Sequence, residues 1–127
     1  MEDNEKNFMN QEMTDAVAQR VAEIKKNNPK LRAVFPLAVE GNPDFDEKEV
    51  YIGYFKQPDF PTFSKYLSAS QQDQAVAMRT LAKDCFIEGD RELIDDDSLF
   101  LFGLMGQLSE IIKMRQGKLV NLSKTGK

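Results

Sequence analysis

From Asn10 to about Lys26, apolar residues Met13, Ala16, Val17, Val21 and Ile24 recur at intervals of three and four. That spacing predicts a helix with a narrow stripe of mostly small side chains, ending before Asn27-Asn28-Pro29. The period then drops to two. Ala33 to Val39 and Val50 to Phe55 read as strands, separated by the turn-rich, acidic EGNPDFDEKE. Pro36 cannot donate to a ladder, so the first strand should be an edge or break there. VYIGYF is apolar on both faces, with Val50, Ile52 and Tyr54 on one side and Tyr51 and Phe55 on the other. Such a strand needs cover above and below.

Helical spacing returns with DFPTFSKYLSA, where Asp59 can cap, Pro61 is tolerated in the first turn, and Phe60, Phe63 and Leu67 share a face. Ser70-Gln71-Gln72-Asp73 then opens a helix whose Val76, Met78, Leu81, Ala82, Cys85 and Phe86 form its apolar side. Gly89 stands where a helix C-terminus needs positive φ. Asp90 is placed to cap a turn over Arg91 to Leu93, and Asp95 or Asp96 to start a long helix over 97–115. That last helix puts Leu101, Leu104, Leu108, Ile111 and Ile112 on a wide face, with Phe100 and Met114 at its margins. Gly103 and Gly106 weaken it but allow another backbone to approach. The apolar coverage exceeds one core contact, and the surplus has two uses: tight packing inside the monomer, or a surface for self-association or a client.

The resulting fold class is α+β: mostly helical, with a small two-stranded antiparallel β element between an N-terminal helix and a helical C-terminal half. One domain is expected over 10–116, after a flexible N-terminus of residues 1–9 and before a basic, flexible tail of 117–127. The 127 residues, 41% hydrophobic and 30% charged, suit a single soluble domain.

Chemistry narrows the reading by what is missing. The chain has no histidine, which removes the commonest general base, the usual zinc nitrogen ligand and every Ser-His or Cys-His pair. Its single cysteine, Cys85, has no activating neighbour and reads as a buried, unreactive thiol. None of the seven glycines opens a phosphate-binding loop. Asn42 to Gly53 carries oxygens at three calcium-loop positions, but Glu47 and Gly53 stand where the loop glycine and closing glutamate are required. A net charge of −4 argues against nucleic acid. The apolar run Leu99 to Met105 is far short of the roughly 20 residues that span a bilayer. The polar, acidic MEDNEKNF is unlike a signal peptide, so a cytoplasmic protein is expected. No enzyme, cofactor or metal is expected, and the partner should be another protein.

CFIEGDRELIDDDSLF concentrates Glu88, Asp90, Glu92, Asp95, Asp96 and Asp97. A metal site would need several of these to converge, yet consecutive aspartates on a helix start point about 100° apart. Capping, solvation and complement to the helix dipole account for them more simply than metal binding or acid-base catalysis.

The order of features resembles the small tail assembly chaperone proteins of tailed phages and prophages. The likeness runs from about Val50 to Arg115. An aromatic strand passes through a proline into an Ala- and Ser-rich helix (VYIGYFKQPDFPTF), a second helix ends in CFIEGDRELIDDD, and the hydrophobic LFLFGLMGQLSEIIK follows. The resemblance implies a factor in the host cytoplasm that binds the long tape measure protein, keeps it soluble and helps tail tube subunits gather on it. No sharp motif fixes the family's binding residues, so none is carried over. From the residues themselves, Phe100, Leu104, Met105, Leu108, Ile111 and Met114 are the candidate protein-binding face, shielding apolar segments of a helical client. The alternative is a small structural virion or assembly component using that helix in a permanent interface, and the same face could serve a homo-oligomer.

Overall fold

The computed structural model describes residues 8–112 and 115–122. Helix α1 spans Gln11–Asn27, started by Asn10, whose Oδ1 accepts the Met13 N–H at 2.8 Å. Strands β1 (Val34–Glu40) and β2 (Val50–Lys56) follow, joined by a link that carries a short 3-10 turn, Pro43–Phe45. Asp59 starts α2 (Phe60–Ser70), its carboxylate accepting the Thr62 N–H, and Asp73 starts α3 (Gln74–Cys85) by accepting the Val76 N–H. Strand β3 (Phe86–Gly89), two short helices α4 (Glu92–Asp95) and α5 (Asp97–Leu101), and a 3-10 helix over Leu104–Glu110 complete the regular structure.

The fold is α+β, and the sheet is antiparallel in the order β1-β2-β3. Three strands replace the expected two, because FIEG leaves the helical path after Cys85 and pairs with β2 through Gly53↔Gly89, Tyr54↔Glu88 and Phe55↔Phe86. The apolar spacing through Phe86 reads as more helix, and only pairing with a distant strand makes it β. As expected from Pro36, β1 is an edge. Gln107 covers part of that edge by donating from its side chain to the Ala38 carbonyl at 2.7 Å.

The two faces of β2 are covered from opposite sides. Val34 and Tyr54 pack beneath Ile24 of α1 in a small cluster. Leu37, Val39, Tyr51 and Phe55 face the main core, built with α3, α4, α5 and the 3-10 helix. Arg20 ties α1 to β3 through two hydrogen bonds to the Glu88 carboxylate, at 2.5 and 2.7 Å.

The single long helix expected over 97–115 is broken. It is α5, a turn at Phe102-Gly103, then the 3-10 helix. A Cβ at Gly103 would lie 2.6 Å from both the Leu99 carbonyl oxygen and Val39 Cγ1, so close approach to β1 requires glycine there. Two glycines in four residues also lower helix preference by about 1 kcal/mol each. Gly106, by contrast, faces open space.

Residues 1–7 of the expected flexible N-terminus lie outside the described residues, as do Lys113, Met114 and 123–127. Residues 115–122 are exposed and irregular. No helix among the described residues is long and apolar enough to cross a membrane.

Candidate functional site

The residues expected to form a client face sit mostly inside the protein. Phe100 is 1% exposed, and Leu104, Leu108 and Ile111 are fully buried in the main core. Met105 is half-buried against the same cluster, and Met114 lies outside the described residues. The break at Gly103 turns this apolar segment along β1 and α3, so its wide face is consumed by internal packing. What it leaves at the surface is Phe102, 87% exposed, and part of Leu101.

The acidic stretch disperses onto separate partners. Glu88 pairs with Arg20, and Asp90 accepts the Ile52 N–H at 2.9 Å and the Lys48 ammonium at 2.7 Å. Asp95 faces Arg91, Asp96 accepts the Leu99 N–H as the cap of α5, and Asp97 accepts from Arg79 at 2.7 Å. The described residues contain no cluster of three or more acid, cysteine or histidine groups suited to a metal ion. Burial pushes the Cys85 thiol up to about 11, with its side chain sealed from solvent. A thiolate is therefore scarce near neutral pH.

Further exposed apolar surface lies on α2. Helix α2 carries Phe60, Phe63, Tyr66 and Leu67, yet none of its residues is buried. Tyr66 leans on α3, whose Asp84 also holds Lys65 at 2.8 Å. Phe63 stacks on the Tyr66 ring at 5.6 Å, and the neighbouring Phe60 and Leu67 are 83% and 50% exposed. Beside them runs a groove of about 240 Å³ lined by Pro58, Phe60, Phe63, Ile111 and Ile112.

The connector Gln57-Pro58-Asp59 is shared between that groove and a second cleft of about 320 Å³, which Lys30, Arg32 and Lys56 line on its other side. These three cations form no ion pair among the described residues. Hydrogen bonding to Thr62, aided by Lys56, holds the Asp59 carboxyl below the usual range. Apolar groove and cationic cleft thus make one continuous surface, suited to an amphipathic segment with acidic flanks.

No protein-family model matches the chain, and no curated protein does. A solved structure, that of the uncharacterised protein rbstp2171 from Bacillus stearothermophilus, is similar at 19% identity and a TM-score of 0.49. The match covers 79% of this chain and 98% of that one. It carries no functional argument.

The shared face of Phe60, Phe63 and Leu67 is legible in helical spacing, whereas its exposure is not. The cationic cleft has no local signature in the sequence. Lys30 and Arg32 are far from Lys56 in sequence, and only the pairing of Val34 with Lys56 brings them to one end of the sheet.

Proposed function

We propose that this protein is a noncatalytic assembly chaperone of the phage tail type, holding apolar helical segments of a long client such as a tape measure protein. The client surface in this reading is the α2 groove with its cationic border, not the buried segment from Phe100 to Ile111. One observation carries it: an 11-residue helix bearing two phenylalanines, a tyrosine and a leucine has no buried residue. Exposed aromatic surface of that kind is retained for partners more readily than for stability.

A client helix would lay its apolar side along Phe60, Phe63 and Ile112. Its acidic residues would then meet Lys30, Arg32 and Lys56, which steer the encounter and fix its direction. Charge-steered, partly apolar contacts can release as well as bind, which an assembly chaperone needs.

Co-expression with a tape-measure-type helical protein tests the proposal. Wild type keeps the client in the soluble fraction, and Phe60→Asp and Leu67→Asp lose that effect while melting within a few degrees of wild type. If both variants keep the client as soluble as wild type does, α2 is not the client site.

A further inference from the structure

Strand β1 joins two unlike ends of the molecule. At its start, residues 25–32 supply Lys25, Lys26, Lys30 and Arg32 without an acid. At its finish, residues 40–49 supply Glu40, Asp44, Asp46, Glu47 and Glu49 with Lys48 alone, and Asp90 engages that ammonium. Seven residues of extended chain separate these ends, a span of about 20 Å. The antiparallel register puts Lys56 at the cationic end and Val50 at the anionic one.

Each end also exposes apolar surface. The cationic end has the Phe60, Phe63 and Ile112 groove across the Gln57-Pro58-Asp59 connector. The anionic end has Phe45, 67% exposed, and Phe102, 87% exposed, on either side of a cleft of about 140 Å³ bordered by Glu40 and Glu47. Phe45 is held out by its 3-10 turn, in which Asn42 accepts the Asp44 N–H at 2.9 Å and Asp46 takes a left-handed φ of 62°. Phe102 projects from the turn that Gly103 forces against Val39.

The structure assigns these two ends to each other in neighbouring copies: the chain associates head to tail, with Phe45 and Phe102 of one copy seated on the Phe60, Phe63 and Ile112 groove of the next. Glu40 and Glu47 then face Lys30, Arg32 and Lys56. Both patches are aromatic, they are opposite in charge, and they lie at opposite ends of β1, so one copy cannot satisfy its own. A contact between two different patches continues into a chain or closes as a ring rather than stopping at a symmetric pair. Two aromatic rings and a few ion pairs make a small contact, so association is weak and follows concentration. This inference does not rest on the chaperone reading, although a client in the groove would end a chain there.

Sedimentation equilibrium of the pure protein at low salt, with no client present, tests it. Wild type exceeds twice the 14.5 kDa chain mass as concentration rises from about 10 μM to 1 mM, and added salt reverses this. Phe102→Asp and Phe60→Asp, both at exposed positions, each weaken association at least tenfold. Mixed in equal amounts they recover pairs and go no further, because the intact groove of one accepts the intact aromatics of the other. A monomeric wild type across that range overturns the proposal. So does a wild type that stops at two chains, a single variant that assembles normally, or a mixture that stays monomeric. Because Phe102 lies outside the client groove, Phe102→Asp should still solubilise a client, which separates failure of self-association from failure of the chaperone reading.

Discussion

Gly89 holds a φ of 124° at the end of β3, and a Cβ there would sit 2.5 Å from the Ile52 carbonyl oxygen. Gly89→Ala therefore lowers stability by about 1–3 kcal/mol, whereas Gly106→Ala, with open space around it, is neutral or slightly stabilising. Denaturant midpoints distinguish the two. The need for glycine at position 89 was readable from sequence, but its setting was not, because the same residue type that ends helices also closes strands. Cys85 is the simpler case: buried and shifted upward, it should stay unmodified by an aromatic disulfide reagent until the protein unfolds. Glu88 is held below the usual carboxylate range by its hydrogen bonds to Arg20. The folded state thus binds fewer protons there than the unfolded chain. The contribution is complete above the ordinary glutamate value of about 4.3 and fades as pH falls through the depressed one. Melting curves of wild type and Glu88→Gln should differ at pH 7 and converge in acid.

At the scale of elements, local signals located the starts well. Asp59 caps the helix it was expected to cap, Asp96 is the one of two expected candidates that caps α5, and Pro36 marks an edge strand. Long-range forces decided the rest. β3 has four residues and follows α3 without a turn, so its identity depends on Phe55 and Phe86, whose rings meet edge-on at 5.6 Å. The broken helix depends on Val39 pressing against Gly103. Arg79 has no local signature in the sequence, because its role needs tertiary structure. It donates to the Ile94 carbonyl at 2.8 Å, the Asp95 carbonyl at 3.2 Å and Asp97, and lies 5.3 Å from the Phe100 ring. It thereby satisfies carbonyls at the end of α4, where the chain turns into α5. Arg79→Ala should cost about 1–3 kcal/mol, and Arg79→Lys should recover only part, because a single ammonium cannot reproduce the fork.

Across the whole molecule, the segment expected to face a client largely fills the core, while the short helix α2 buries none of its residues. Periodicity identifies which side chains share a face, but not which of several apolar faces finds cover, since that depends on how the elements pack. Charge behaves similarly: a net −4 conceals a cationic end and an anionic end separated by the length of β1. The proposed docking of an amphipathic helical segment on the α2 surface is tested directly by amide chemical-shift mapping. On titrating the labelled protein with an acidic amphipathic peptide from a tape-measure-type client, the largest shifts are predicted at Phe60, Phe63, Leu67 and Ile112, with smaller ones at Arg32 and Lys56. Saturating binding with shifts confined to other surfaces, or no shifts at millimolar peptide, would contradict it.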